Sequence, residues 1–375
     1  VLFNSLMSQP EHKCLGLTAD ERQRIREMPH RPPVLLVIGM AGAGKTTFVQ
    51  RLVAELNQRQ AAYALRPRIR QEIIAKEPYV INLDPAALDT PYTPSVDIRD
   101  TFNIGDLMKK HHWGPNGAIM TTLNLFATKI DELDNLMRKK AERTSCYVFD
   151  TPGQIEVFTW SSSGEIISKF FGSAYPTILL YVVDSERCLS PITFVASMLY
   201  CCSIMERLEL PVIIVFNKSD LISPSLSVEP DALSRWAPWV YIRNNIALSD
   251  AFNDLQERNV NSIAYSDIFY ESLSTILEEF YNVIDYVNVS SYTGVGFEGL
   301  LDKIRKVSAQ YVEEYPTQLE ERRQAIEQER QQKEREQEDP YQSLFADMSL
   351  LPTRYVCGDN GVEVLEDSAD LDGVD

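Results

Sequence analysis

The chain has 375 residues, of which 44% are hydrophobic, and its 54 acidic and 36 Lys or Arg side chains give a formal net charge of −18. So large a negative charge disfavours direct binding to nucleic acid, whose phosphates would repel it. No apolar run approaches the roughly 20 residues that a membrane-spanning helix needs. The length and the apolar content instead predict one large domain with tails.

The residues before the first predicted strand are expected to form an N-terminal extension, residues 1–33. Within it we expect Val1–Leu6 to be an expression remnant and Met7 to be the natural start. No long apolar run occurs here, so the sequence predicts no signal peptide. The six cysteines of the chain lack metal-binding spacing and several stand in apolar segments, so we expect reduced thiols in a cytosolic protein.

A phosphate-binding loop is predicted after the first strand. The run Val34–Ile38 is apolar and β-branched, as in a strand buried on both faces, and the glycine-rich stretch Gly39–Thr46 follows it. Glycines let successive N–H groups surround a phosphate, and the next helix directs its N-terminal dipole at the anion. Lys45 is expected to reach the β- and γ-phosphates and the Thr46 hydroxyl to ligate Mg²⁺. The expected phosphate contacts are Gly42, Ala43, Gly44, Lys45, Thr46 and Thr47.

A second cluster follows the predicted strand 146–149, which delivers Asp150 at its end. A carboxylate at this point can hold a water on Mg²⁺. The N–H of Gly153 can meet a γ-phosphate when one is present, and this difference between two nucleotide states is the basis of a switch. Gln154 stands where a side-chain amide could orient the attacking water, with a solvated loop residue as the alternative.

Selection of guanine is predicted from the ends of two later strands. The apolar strand 211–216 precedes Asn217–Asp220, in which Asp220 can accept from guanine N1–H and the N2 amine, a donor pair that adenine lacks. Asn217 is expected to brace the phosphate loop and the base, and the stem of Lys218 to lie over the ring. After the short strand 287–289, Ser290 and Ser291 are placed to offer a backbone N–H to guanine O6.

The stretch between these motifs carries a second carboxylate, Asp84, and a Gly-Pro-Asn tripeptide. With them the sequence resembles the GPN-loop GTPases, a dimerising branch of the P-loop GTPases, from about residue 34 to about residue 307. The segments that carry the resemblance are Asn82–Ala86, Asp97–Asp100, Gly114–Ala118 and Asp150–Glu156.

The resemblance implies GTP hydrolysis at a site that two subunits share. Asn116 would be presented to the γ-phosphate region of the neighbouring subunit, while Asp84 and Gln154 would position the hydrolytic water. We expect Gly114 and Pro115 to form a tight turn that presents this amide, a donor that does part of an arginine finger's task without its charge. The expected catalytic residues are Lys45, Asp84, Asn116 and Gln154, and the expected Mg²⁺ ligands are Thr46, Asp84 and Asp150.

A charged C-terminal extension makes the chain similar to the longer eukaryotic members of this family, which are associated with RNA polymerase II. The resemblance implies a role in assembling the polymerase or delivering it to the nucleus, with polymerase subunits as the client. It also implies a cytoplasmic protein that shuttles to the nucleus, without direct contact to nucleic acid or membrane. Its cofactors would be GTP or GDP with Mg²⁺, and its dimer would be a homodimer or a heterodimer with a GPN-loop paralogue.

Strands alternate with helical stretches, which predicts an α/β P-loop NTPase fold with a doubly wound, mostly parallel sheet flanked by helices. The GTPase domain is expected over residues 34–312, with helical insertions at about 60–76 and 221–266. Residues 313–340 are rich in charged residues and Gln, and predict an exposed helical extension. Residues 341–375 end in an acidic stretch and predict a flexible or docking tail.

The residues leave several alternatives open. A P-loop ATPase or kinase would share the phosphate loop, although Asn217–Asp220 speaks against adenine. A nucleotide-stabilised scaffold or chaperone with negligible turnover would share every motif. The aromatic residues of the 221–266 insertion fit either a partner-binding surface or a helical cap with its own core. A second aromatic group fits either a dimer interface or the core of the domain, and consists of Phe158, Trp160, Phe170 and Phe171.

Overall fold

The protein is described by a computed structural model that covers residues 23, 27–64, 76–222, 238–243, 284–314, 354–358 and 361–365. The chain divides into two compact units, Val1–Glu313 and Glu314–Asp375. The first unit contains all of the nucleotide motifs that the sequence predicts, so the functional site is built within it.

A parallel sheet of seven strands forms the centre of the first unit. Its strands are β1 Val34–Gly39, β2 Glu77–Asn82, β3 Val96–Asp97, β4 Thr144–Asp150, β5 Thr177–Asp184, β6 Val212–Asn217 and β7 Asp285–Asn288. They lie in the order β3-β2-β4-β1-β5-β6-β7, and every pairing between neighbours is parallel. All six residues of the central β1 are buried. The predicted parallel α/β fold is therefore confirmed, and the apolar runs are those of strands covered on both faces.

Helices connect these strands. They are α1 Lys45–Ala64, α2 Ile98–Thr101, α3 Ile104–His111, α4 Pro115–Ala127, α5 Ile130–Lys140, α6 Ile155–Thr159, α7 Ser162–Ala174, α8 Pro191–Leu208, α9 Pro238–Arg243 and α10, described over 297–314. Within the part of the chain that the structure describes, no helix combines the length and the apolar character that crossing a membrane requires.

Helices cover both faces of the sheet. On one face α1 and α10 pack on strand residues such as Val148, and the rings of Phe48 and Phe297 stack with their centroids 5.5 Å apart. On the other face Phe149 of β4 meets Phe171 of α7 at a centroid distance of 4.8 Å. Successive residues of β4 thus point to opposite faces of the sheet, and both faces of the strand are covered.

The aromatic residues of α6 and α7 divide between core and surface. Phe158 and Phe171 are fully buried and belong to the core, and Phe170 is partly buried. Trp160 is 44% exposed, and its indole N–H donates to the hydroxyl of Tyr200 at 3.0 Å. Of this group, Trp160 presents the largest surface that a partner could cover.

The second unit contains a β-hairpin that the sequence analysis did not predict. β8 Arg354–Gly358 and β9 Gly361–Leu365 pair antiparallel, with Cys357 opposite Val362. These strands lie within the 341–375 tail, for which the sequence predicts a flexible or docking segment. One β-branched valine in β8 and two in β9, with a glycine at the end of β8 and at the start of β9, favour the pairing.

The predicted insertions and the charged extension lie largely outside the described residues. α1 continues to Ala64, so it covers the start of the 60–76 insertion. Of the 221–266 insertion the structure describes residues 221–222 and α9, and of the 313–340 extension only residues 313–314.

The carboxyl ends of the parallel strands meet at one edge of the sheet. Polar residues follow or end the strands there, namely the phosphate loop after β1, Asp84 after β2, Asp150 on β4, Asp184 on β5, Asn217 on β6 and Ser290 after β7. This edge is where open parallel sheets bind their ligands.

Candidate active site

The phosphate loop, residues 39–46, closes around the side chain of its own lysine. Lys45 is only 6% exposed, and its Nζ donates to the carbonyl oxygens of Gly39 at 2.6 Å and Gly153 at 3.0 Å. Burial lowers the pKa of Lys45, and the nearby carboxylate of Asp150 opposes that shift. Main-chain carbonyl oxygens therefore accept the hydrogen bonds of the Lys45 ammonium, and the oxygens of a bound anion could accept these hydrogen bonds in their place.

The loop takes this course because two of its glycines approach neighbouring strands closely. A Cβ on Gly39 would lie 2.2 Å from the carbonyl oxygen of Val182 on β5. Gly44 has a φ of +85°, and a Cβ there would lie 2.8 Å from Nδ2 of Asn217. A larger residue at either position would push the loop away from the sheet.

The carboxyl group of Asp150 at the end of β4 is buried and only half satisfied. Its Oδ2 accepts a hydrogen bond of 2.7 Å from the hydroxyl of Tyr92, whereas its buried Oδ1 has no hydrogen-bond partner among the described residues. Burial raises the pKa of Asp150 to about 6 and also raises the pKa of Tyr92. An unpaired buried carboxylate oxygen is costly, so this atom suits a cation or a water.

Asp84 holds the segment after β4 in place. Its Oδ2 accepts the N–H of Gly153 at 3.2 Å, and its Oδ1 accepts the N–H of Ala86 at 2.9 Å. Burial raises the pKa of this carboxyl, and the two N–H groups oppose the rise. Gly153 is thus held on both sides of its Cα, at its N–H by Asp84 and at its carbonyl by Lys45.

The position of Asp84 is fixed by a polar network. Oδ1 of Asn82 accepts the N–H of Asp84 at 3.0 Å, and Nδ2 of Asn82 donates to Asp97 at 3.1 Å. Asp97 pairs with Arg99 at 2.6 Å, and Arg99 also donates to the carbonyl of Ala87 at 2.9 Å. The two sequence segments that begin at Asn82 and Asp97 therefore form one hydrogen-bonded unit.

Asn217 connects the phosphate loop to the loop after β7. Its Nδ2 donates to the carbonyl of Ala43 at 3.0 Å, while its Oδ1 accepts the N–H of Ser291 at 3.1 Å and the hydroxyl of Ser291 at 2.7 Å. The hydroxyl of Ser290 donates to Asp220 at 2.5 Å. The residues predicted to recognise a base therefore lie together.

Lys218 runs along the phosphate loop. Its backbone has a φ of +61°, which turns the chain as it leaves β6. Its Nζ donates to the carbonyl of Gly42 at 2.9 Å and pairs with Oδ2 of Asp184 at 2.7 Å. Asp184 thus fixes the lysine stem beside the loop.

Gln154 and Asn116 have exposed side chains. Gln154 is the N-cap residue of α6, directly after Gly153. Asn116 is the second residue of α4, and the structure gives no hydrogen bond from either side chain to another described residue. The tight turn predicted for Gly114 and Pro115 is wrong, since they are the N-cap and the first residue of α4. The fixed φ and missing N–H of proline suit that first helical position.

Several side chains at the site were not predicted. These are Arg51, Tyr92, Asp184 and Arg187. Asp184 ends an apolar strand at the same edge as Asp150, and that position is a signal that could have found it. Tyr92 and Arg51 stand in segments without a motif, and only the fold brings Tyr92 to Asp150 and Arg51 within 3.3 Å of the carbonyl of Thr293.

Known proteins resemble this chain over most of its length. A protein family described as "Conserved hypothetical ATP binding protein" matches residues 68–310, a span that begins after the phosphate loop. The chain is 37% identical over 320 residues to GPN-loop GTPase 1 of Schizosaccharomyces pombe. This alignment covers 85% of this chain and 80% of that protein. It is 38% identical over 317 residues to GPN-loop GTPase 1 of Saccharomyces cerevisiae. That alignment covers 84% of this chain and 75% of the yeast protein.

A solved structure shares the fold. The crystal structure of a GTPase in apo form from Pyrococcus abyssi matches with a TM-score of 0.58 at 21% identity, covering 74% of this chain and 98% of that chain. At this level of identity the likeness concerns the fold alone.

Replacing the half-satisfied carboxyl should stabilise the ligand-free protein at neutral pH. The pKa of Asp150 in the folded state, about 6, lies above the ordinary range of aspartate, so this group lowers stability progressively as pH rises towards 6 and fully above it. A rise of ~2 pKa units corresponds to ~3 kcal/mol. We therefore expect Asp150→Asn to raise the Tm of the protein at pH 7.5, after metal is removed by chelation and nucleotide by gel filtration.

Thermal unfolding at two pH values checks this expectation. The gain should shrink at pH 5, where wild-type Asp150 is mostly protonated. Asp89→Asn, which changes an exposed aspartate, is the matched control and should leave the Tm nearly unchanged. A Tm of Asp150→Asn that is lowered equally at both pH values would contradict the assignment.

Proposed function

We propose that this chain, which belongs to the GPN-loop GTPase family and is a GTP-binding GTPase, acts as one half of a dimeric switch whose nucleotide state controls a client protein. The observation that carries the proposal is the meeting of polar segments at the carboxyl edge of one parallel sheet. These are the phosphate loop and the segments around Asp84, Asp150, Asn217 and Ser291.

Guanine is the base that these polar groups favour. The carboxylate of Asp220 would accept both N1–H and the N2 amine, and adenine would leave it unpaired. The two backbone N–H groups expected to face guanine O6 have protein partners here, since that of Ser291 donates to Oδ1 of Asn217 at 3.1 Å and that of Ser290 to the carbonyl of Val295 at 3.0 Å, so one of them would have to change partner on binding. The matched family description names ATP, whereas the two relatives are named GTPases. Placement of Asp220 next to Ser290 supports the guanine assignment.

The donor set fits Mg²⁺. Thr46, in the first turn of α1 beside the exposed Thr47, and the unpartnered Oδ1 of Asp150 would hold the cation. Asp84, the third ligand expected from sequence, uses both oxygens for backbone N–H groups, which favours a positioning role for it. The described residues contain no cluster of three or more His, Cys, Asp or Glu side chains suited to a metal. Phosphate and water would therefore complete the coordination, and the bound cation would neutralise charge on the phosphate oxygens.

Hydrolysis would depend on a change of partners at Lys45 and Gly153. A γ-phosphate offers oxygens that can accept both the Lys45 ammonium and the Gly153 N–H, which here contact Gly39 and Asp84. The carboxylate of Asp84, released in this way, would accept a hydrogen bond from the attacking water. Gln154 follows Gly153 directly, so the same movement would carry its exposed amide towards that water.

A second subunit would supply Asn116. Its side chain is exposed at the start of α4, and the neighbouring Trp113 and Met120 are 39% and 42% exposed, so they could be covered by a partner. An amide donor from that partner would stabilise charge at the γ-phosphate. The partner would be a second copy of this chain or a GPN-loop paralogue.

The client would be RNA polymerase II, whose assembly or nuclear import the chain would serve. The resemblance to the longer eukaryotic family members, which share a charged extension beyond the GTPase domain, supports this proposal. The overall charge of −18 supports a protein partner rather than nucleic acid. Movement between cytoplasm and nucleus would accompany this role.

Nucleotide choice can be measured by isothermal titration calorimetry. We expect GTP and GDP to bind at least ~100-fold more tightly than ATP, because Asp220 pairs only with guanine. Lys45→Ala should abolish nucleotide binding since the phosphates lose their buried ammonium. The control Lys169→Ala removes a surface lysine of α7 and should bind like wild type. Tighter binding of ATP than of GTP would contradict the proposal.

A pull-down with the full chain tests the client and its nucleotide dependence. The bait is loaded either with GDP or with a non-hydrolysable GTP analogue and incubated with a eukaryotic cell extract. RNA polymerase II subunits should be recovered in amounts that differ between the two states, and Lys45→Ala should remove that difference. Recovery of no polymerase subunit in either state would refute the client assignment and leave the GTPase assignment intact.

A further inference from the structure

The outer rim of the phosphate loop carries a cation that no motif assigns, Arg187. It begins a short 3₁₀ turn after β5. Its Nη2 lies 3.3 Å from the position that a Cβ on Gly42 would take, so the guanidinium rests against the middle of the loop. The side chain is 65% exposed, and the hydrogen bonds of the described residues include none from this guanidinium.

One carboxylate holds two cations at this place. Oδ2 of Asp184 lies 2.7 Å from Nζ of Lys218 and 3.7 Å from Nε of Arg187. Lys218 in turn donates to the carbonyl of Gly42 at 2.9 Å. Among these three side chains one negative charge faces two positive ones, so Asp184 does not neutralise both cations beside Gly42 and an anion could be attracted there.

A guanine nucleotide bound as proposed above would lie along this rim. Its base would lie at the end of β6, beside Asp220 and Lys218, and its terminal phosphates would lie at Lys45. The ribose and the α-phosphate would span the distance between these two ends. Gly42 would lie along that path, because its carbonyl accepts a hydrogen bond from Lys218 and Lys45 follows it in the same loop.

We propose that Arg187 binds the α-phosphate of the guanine nucleotide from the outer side of the loop. A guanidinium offers a planar pair of N–H donors that match phosphate oxygens, and Asp184 near Nε leaves the Nη groups free to turn to the ligand. GTP and GDP share the α-phosphate, so Arg187 strengthens the binding of both equally and slows the release of both. It acts within one subunit, independently of any dimer or client.

Nucleotide affinity of Arg187→Ala tests this role. Dissociation constants for GDP and for a non-hydrolysable GTP analogue should both rise about tenfold, the size expected for loss of one charge-assisted hydrogen bond. The ratio of the two dissociation constants should stay as in wild type, since the γ-phosphate is not touched. Unchanged affinity would overturn the proposal, and so would a loss confined to the GTP analogue, which would place the guanidinium at the γ-phosphate.

Two further variants separate charge from shape. Arg187→Gln keeps a hydrogen-bond donor without the charge and should lose affinity like the alanine variant, whereas full retention would point to a ribose hydroxyl and overturn the phosphate contact. Lys169→Ala, which removes one surface cation from α7, should bind both nucleotides like wild type. An equal loss in that variant would assign the effect to net charge alone. Binding of GDP by wild type is the reference, and its failure would count against the nucleotide site itself.

Discussion

One side-chain amide, that of Asn217, holds the two halves of the nucleotide site together. It donates to the phosphate loop at Ala43 and accepts from Ser291 in the loop behind the base. Its Nδ2 occupies the space that a Cβ on Gly44 would need. The phosphate loop can therefore approach the Asn217 amide this closely only with glycine at that position. Arg51 adds a second link, from α1 to Thr293. The nucleotide therefore meets a preformed frame and does not have to order separate loops, which lowers the cost of binding.

The hydrolytic side of the site is built from charges that the protein buries before any ligand arrives. Burial lowers the pKa of Lys45 and raises the pKa of Asp84 and of Asp150. Groups held at fixed positions away from water interact strongly with phosphate and cation and need little rearrangement to do so. Gly153, whose N–H contacts Asp84 and whose carbonyl contacts Lys45, is the place where the γ-phosphate would compete for both contacts.

The sequence predicted those parts of the structure that local patterns determine. Strands covered on both faces need continuous apolar runs, so β1, β5 and β6 could be found, and motifs at their ends fall at one edge of the sheet. The contacts of Tyr92 with Asp150 and of Arg187 with Gly42 depend on the order of the strands in the sheet. A local sequence pattern does not reveal that order, so these contacts could not be predicted. Gly-Pro begins turns and helices equally well, so the start of α4 was decided by packing.

We propose that a second subunit, either another copy of this chain or a GPN-loop paralogue, completes each active site, and co-expression of two inactive variants tests the first of these most directly. Asn116→Ala lacks the donor for its partner, and Gln154→Leu lacks the amide of its own site. If Asn116 acts in trans, each mixed dimer contains one complete site, and an equal mixture should recover about a quarter of wild-type GTP turnover by random pairing of subunits. Turnover no higher than that of the separate variants would contradict completion by a second copy.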